Sequence, residues 1–179
     1  AHARGAEGIK RAVISGVDSI EHGTLMDAEG MKLMRERGTY YVPTLLAGAW
    51  VADKAQIDGF FPDLVTPKAL EIGPQLKTTF SKAYQAGVKI AFGSDAGVFP
   101  HGKNAKEFRY MNEVGMPVME CLQSATITNA SILGYADELG QISPGFIADI
   151  VATNDDPTEN VSTLENVIFV MKNGIVYKD

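Results

Sequence analysis

The stretch Gly16-Val17-Asp18-Ser19-Ile20-Glu21-His22-Gly23 decides how this chain is read. It holds a break, a short run of strand-forming residues over 17–21, and a histidine directly before a second glycine. On its N-terminal side, residues 6–15 carry apolar positions at helical spacing and stop at Gly16. On its C-terminal side, Asp27 is a good N-cap for a helix over 28–37, which Gly38 ends. A second strand, rich in Tyr and Val, follows at 39–42. The run 45–65 reads as a long connection carrying Trp50, Phe60, Phe61 and Pro62. A helix over 67–86 opens on Pro67 and closes at Gly87, and 88–92 is a third strand. Residues 104–114 and 117–127 read as two further helices, Pro117 opening the second.

Strand and helix alternating through short links imply parallel strands joined by right-handed crossovers, hence an α/β fold. Three strands and the stub of a fourth at Ala1-His2 amount to about half of an eight-stranded barrel. A doubly wound open sheet is the other arrangement, but no Gly-rich phosphate loop follows any strand. The pattern changes near residue 138. Residues 139–149 and 150–153 read as strands around a Pro-Gly turn, and 167–172 with 175–177 as a hairpin closed by Asn173-Gly174. The expected division is therefore 1–138 and 139–179. The second piece is too small to fold alone and must pack on the first or on strands from elsewhere.

Composition narrows the function. The 16 basic and 22 acidic residues give a net charge of -6 with no Lys/Arg cluster, which argues against a nucleic-acid groove. No apolar run reaches the roughly 18 residues of a membrane span. Cys121 is the single cysteine, so there is neither an intrachain disulfide nor a cysteine-based zinc cluster. The chain begins on Ala1 and enters Ala1-His2-Ala3-Arg4-Gly5, the end of a strand running into a helix, with no strand before it. The expectation is a piece separated from an N-terminal half. Its open sheet edge should be covered by self-association, as a homo-oligomer, or by a companion chain carrying that half.

The chemistry rests on few residues. Two of the three histidines, His2 and His22, fall at strand ends before a turn, and Asp95 falls at the same place in Phe92-Gly93-Ser94-Asp95-Ala96-Gly97. In a parallel barrel all strand C-termini open on one face, so these three would converge there. Two imidazoles and a carboxylate suit a divalent metal with a position left open for water. Read singly, each is ordinary: a histidine after a strand is commonly a surface or capping residue, and Ser-Asp-Ala-Gly is a common turn. Their joint placement is what points to a metal.

Taken together, Ala1-His2-Ala3-Arg4-Gly5, Ser19-Ile20-Glu21-His22-Gly23-Thr24 and Phe92-Gly93-Ser94-Asp95-Ala96-Gly97 resemble the strand-5, strand-6 and strand-8 motifs of the amidohydrolase superfamily. The tail from Leu139 to Val151, with 167–176, resembles that superfamily's C-terminal segment, which returns to a β-sandwich. The run from Ser94 to Phe108 looks most like the imidazolonepropionase-related, prolidase-like branch. The resemblance implies the C-terminal half of a metal-dependent (β/α)8 TIM barrel with a small β-sandwich segment. It implies His2, His22 and Asp95 as ligands of one or two divalent ions, most plausibly zinc, with Asp95 also the general base. The implied reaction is hydrolysis of amide or peptide-like C–N bonds in small substrates: Xaa-Pro or Xaa-Arg/Lys dipeptides, or N-acyl amino acids. A cyclic amidohydrolase or deaminase of the same superfamily, or a half-barrel inactive by itself, are the alternatives. The superfamily's His-x-His pair and carboxylated lysine belong to strands that precede His2.

Four further residues are candidates for binding substrate. His101, in the loop six residues past Asp95, either holds a substrate carboxylate or carbonyl or is a loop histidine at the rim. Tyr41 and Thr44 end the strand at 39–42 and either line the pocket or, for Tyr41, pack in the barrel. Arg4 either pairs with a substrate carboxylate or makes a salt bridge at the rim. Trp50, Phe60 and Phe61 either cover the site or pack their own loop.

Overall fold

A computed structural model describes residues 1–179. Three strands, β1 (His2–Gly5), β2 (Ser19–Leu25) and β3 (Tyr40–Val42), form one sheet in the order β1-β2-β3. Both pairings are parallel, with His2 opposite Glu21, Ala3 opposite His22, and Ile20 opposite Tyr41. The expected alternation is therefore present, and α1 (Ala6–Ile14) and α2 (Ala28–Arg37) are its crossovers. The ends of α2 follow local chemistry. The Asp27 carboxylate accepts from the Gly30 N–H at 2.7 Å, and Gly38 takes φ 71° at the C-cap.

The second strand differs from the sequence expectation. It begins at Ser19 and runs to Leu25, so His22 lies within it and not beyond its end. The residues 16–18 are used up by the connection, and pairing with β1 extends the strand past the histidine. His2 likewise opens β1 instead of closing it. The segment 88–93 touches the sheet through one parallel bridge, Tyr41 to Ile90. The Tyr41 N–H donates to the Lys89 carbonyl at 2.8 Å and the Ala91 N–H to the Tyr41 carbonyl at 2.9 Å. Its other side is held by helices: Asn129 Nδ2 donates to the Phe92 carbonyl at 2.9 Å. Gly93 permits the close approach, since a Cβ there would lie 2.4 Å from Val42 Cγ1.

The region 45–65 corrects the expectation of a long connection. It contains an eleven-residue helix, α3 (Leu45–Ala55), packed on α4 (Thr66–Gln85). Two glycines let these helices meet closely. A Cβ on Gly48 would sit 2.3 Å from Leu76 Cδ1, and one on Gly73 would sit 3.2 Å from the Gly48 carbonyl oxygen. Pro67 opens α4 as expected. Then α5 (Lys106–Glu113), α6 (Val118–Ala125) and α7 (Ile127–Ile132) follow. The core joins α1, α2 and α4 to the sheet through Ile9, Met34, Tyr41 and Phe80, all with no exposed surface. No helix is long and apolar enough to cross a membrane.

The C-terminal piece is a separate antiparallel sheet of β4 (Ile150–Ala152), β5 (Phe169–Lys172) and β6 (Ile175–Lys178). Asn173 and Gly174, at φ 49° and 76°, form the two-residue turn that the Asn-Gly pair requires. The strand expected over 139–149 is absent: Ser143-Pro144-Gly145 turns the chain, and no partner strand runs beside it.

Candidate active site

Where the start of β1 lies beside the middle of β2, two imidazoles face one another. His22 Nε2 lies 2.9 Å from His2 Nδ1, and the rings meet edge to face. The parallel register causes this: Ala3 stands opposite His22, which sets His2 one position from it on the neighbouring strand. His22 is only 7% exposed, whereas His2 is exposed. Its other ring nitrogen, Nδ1, lies 2.8 Å from the Thr44 hydroxyl. Its carbonyl accepts from the Tyr41 hydroxyl at 2.8 Å. All polar atoms of the residue beyond its N–H are thus held.

The backbone here runs against local preference. Four non-glycine residues have positive φ: His22 at 70°, Thr44 at 51°, Asp95 at 55° and Asn173 at 49°. Asn173 is the hairpin turn. The other three line a single cavity of about 30 Å³, together with Arg4, Thr24 and Leu76. Left-handed backbone is unfavourable for residues bearing a Cβ, and each instance costs on the order of 1–3 kcal/mol. Thr44 is the extreme case because it is β-branched. Gly23, directly after His22, is also left-handed, and a Cβ on it would lie 2.7 Å from Tyr41 Cε2. Tyr41 therefore packs on the glycine while its hydroxyl supports the histidine carbonyl.

The cavity has room for about one or two waters. One hydroxyl on its wall, Thr24 Oγ1, is buried with no hydrogen-bond partner. Electrostatics favour neutral imidazole at His22. Burial holds its pKa below the usual histidine value, the positive charges of His2 and Arg4 push the same way, and Asp95 opposes them. Larger clefts exist, such as one of about 330 Å³ beside Asp18 and Arg37 at the N-terminal ends of β2 and β3. The smaller cavity is the better candidate, because it combines the histidine pair, the unpartnered hydroxyl and the strained backbone.

The sequence-derived candidates separate as follows. His2 and His22 are brought together, and Asp95 and Arg4 share the cavity with His22. No three His, Cys, Asp or Glu side chains group closely enough to hold an ion between them in this chain. Thr44 lines the cavity and also holds His22. Tyr41 is fully buried and supports His22 from beneath, outside the lining. His101 stands exposed in a turn and is not part of the cavity wall. Trp50 packs on Phe99 with Lys54 4.8 Å from its ring centroid.

Glu107 was invisible as a functional residue. It lies on α5 with no exposed surface, and its two oxygens accept from the N–H groups of Leu45 and Leu46, each at 2.7 Å. Burial pushes its carboxyl up to about 8, with the two N–H donors pulling the other way. The available signal was its place four residues before Met111, on the apolar face of a helix.

A parallel α/β chain with paired histidines where the sheet opens, and an aspartate on the same small cavity, has the layout expected of an amidohydrolase. The amidohydrolase family model matches residues 1–176, and the chain belongs to that family. It is similar to a solved Xaa-Pro dipeptidase with bound methionine in the active site, at 58% identity and a TM-score of 0.96, over 99% of this chain and 44% of that one. It is similar at 34% identity and a TM-score of 0.87 to a prolidase complexed with N-methylphosphonate-L-proline, over 99% of this chain and 44% of that one. Ochratoxinase of Aspergillus niger is 31% identical over 99% of this chain and 37% of its own length. The chain thus spans less than half the length of these relatives.

Proposed function

We propose that this chain contributes half of the active site of a metal-dependent amide hydrolase. In this reading residues 1–138 are the second half of a (β/α)8 barrel and 139–179 a β-sandwich segment. The substrates are dipeptides of the Xaa-Pro or Xaa-Arg/Lys kind, or N-acyl amino acids. The similarity to an Xaa-Pro dipeptidase at 58% identity supports the dipeptide class. The observation that carries the reading is the clustering of left-handed backbone: His22, Thr44 and Asp95 bear it around one cavity. Strain kept at three residues of one site is what a functional constellation produces and packing alone does not select.

The residues fit a divalent ion. The two facing ring nitrogens, 2.9 Å apart, are donors of the kind a divalent ion such as zinc takes. Neutral imidazole is the ligating form, and the setting of His22 favours it. The unpartnered Thr24 hydroxyl marks a place where a water or a substrate atom would be welcome. Zinc is the favoured ion, and His2, His22 and the Asp95 carboxylate would hold it in this half. When bound, the ion supplies Lewis acidity, polarising the scissile carbonyl and making water acidic. Asp95 takes the proton of the attacking water and passes it to the leaving amine nitrogen. Arg4, at the cavity wall, offers its guanidinium to a substrate carboxylate.

Since only a histidine pair closes up within the chain, metal should bind weakly or substoichiometrically to the isolated protein, with little or no hydrolysis. A companion half would supply the remaining ligands. Elemental analysis of the zinc-treated chain and its His22→Ala form, with a panel of Xaa-Pro, Xaa-Arg and Xaa-Lys dipeptides, tests this. Equal zinc in both forms would remove His22 as a ligand and the mechanism with it. A full complement of zinc and rapid turnover by the isolated chain would overturn the half-site reading.

A further inference from the structure

We infer that Thr44 and Glu107 are positioning residues for His22: Glu107 caps the helix that Thr44 begins, which leaves the Thr44 hydroxyl free to hold the His22 ring at Nδ1. The inference rests on the metal-site reading above and deepens it.

A threonine that precedes a helix ordinarily has extended backbone and turns its hydroxyl back onto an N–H of the first turn. Thr44 does neither. Its backbone is left-handed, at φ 51° and ψ 45°, and its side chain makes no capping bond to α3. The hydroxyl instead reaches β2 and lies 2.8 Å from His22 Nδ1. That diversion would leave the first N–H groups of α3 without partners in a buried setting, since Leu45 and Leu46 are both buried. Glu107 supplies what is missing. Its carboxyl group, from a helix some sixty residues later, accepts both N–H bonds at 2.7 Å. It is fully buried and makes no salt bridge, so these two donors account for its presence there. The usual division of labour at a helix start is thus split between two residues. One caps and the other is spared for the histidine.

The metal-site reading then implies one tautomer: with Nε2 the ligating atom, Nδ1 carries the proton and donates to Thr44 Oγ1, and the lone pair of Nε2 faces His2 Nδ1. One proton, that on His2 Nδ1, then stands between the two rings, and it alone must leave for an ion to take its place. Losing such an outer partner of a metal-binding histidine typically weakens metal affinity 10–100-fold.

The test labels the histidines with 15N and records long-range proton–nitrogen spectra of the metal-free chain in wild-type, Thr44→Ser and Thr44→Val forms. His22 of the wild type should show one tautomer, protonated at Nδ1. Thr44→Ser, which keeps the hydroxyl, should retain it. Thr44→Val, of nearly equal shape, should give a mixture of tautomers while the circular dichroism spectrum stays native. An Nε2-protonated wild type, or an unaltered spectrum in Thr44→Val, overturns the inference. Glu107→Gln, or the milder Glu107→Asp if the first does not fold, should also mix the tautomers and speed exchange of the Leu45 and Leu46 amides. A sharp wild-type His22 signal in either folded variant removes Glu107 from the relay. In a cobalt(II) titration followed by visible absorption, Thr44→Val should bind about 10–100-fold more weakly than wild type, with Thr44→Ser within about threefold. Failure of the parent reading looks different: His22→Ala would then bind cobalt as well as wild type does, whatever the tautomer spectra show.

Discussion

Replacing Glu107 by Gln should change the pH dependence of stability more than stability at any one pH. The carboxyl is fully buried, with the N–H groups of Leu45 and Leu46 on its two oxygens at 2.7 Å. Burial raises its folded pKa to about 8 from the ordinary carboxyl value of 4.5. An acid whose folded pKa lies above its unfolded one takes up a proton on folding, so its contribution is complete below about 4.5 and is lost as pH rises through about 8. At roughly 1.4 kcal/mol per pH unit, the wild type should lose about 3 kcal/mol between pH 5 and 7 that the neutral Gln form does not lose. In the acid range the order is opposite. The Gln amide has one acceptor oxygen, so one of the two N–H groups faces an NH2, which costs about 1–3 kcal/mol. Urea unfolding of both forms at pH 5, 6, 7 and 8 reads the difference directly. Gln should be the less stable form at pH 5, and the gap should close or invert by pH 8. A gap that is constant or widens with pH would refute this, because it would mean the two N–H donors outweigh burial and keep the carboxylate ionised in the fold.

Three more outcomes follow from the same geometry. Gly23→Ala places a Cβ 2.7 Å from Tyr41 Cε2 at a φ of 55°, so it should lose about 1–3 kcal/mol, or several degrees in Tm, read by thermal unfolding. Asp27→Ala removes the acceptor of the Gly30 N–H and should cost about 1 kcal/mol in urea unfolding, whereas Asp27→Asn should cost less. Sedimentation should show self-association that a companion half suppresses: β1 is an open edge of its sheet, and Ile175, Val176 and Tyr177 leave an apolar strip exposed on β6. A chain that stays monodisperse and monomeric at high dilution would contradict that.

How far the sequence could be read depended on how local the deciding contact was. Asp27 and Gly38 act within one turn of α2, and Asn173-Gly174 within one hairpin, so their effects were legible. The parallel sheet was legible because alternation of strand and helix leaves no other economical connection. α3 was not, since its near-continuous apolar run lacks helical periodicity and its cap arrives from Glu107, far along the chain. The strand reading of 139–149 failed for a related reason: alternation over a few residues says nothing about whether a partner strand lies alongside. The site shows the limit most clearly. His2, His22 and Asp95 could be picked out by their position next to turns, but left-handed backbone was not legible: His and Asp adopt it more readily than most residues without requiring it, and β-branched Thr44 argues against it. At His22 and Thr44 the surrounding groups hold the conformation: Gly23 under Tyr41, the Tyr41 hydroxyl on the His22 carbonyl, and Glu107 at the start of α3. The residues that enforce the site are thus ordinary in sequence and become informative only through what they hold. Left-handed backbone at three residues around one cavity, in defiance of residue type at Thr44, is what supports the proposed site there.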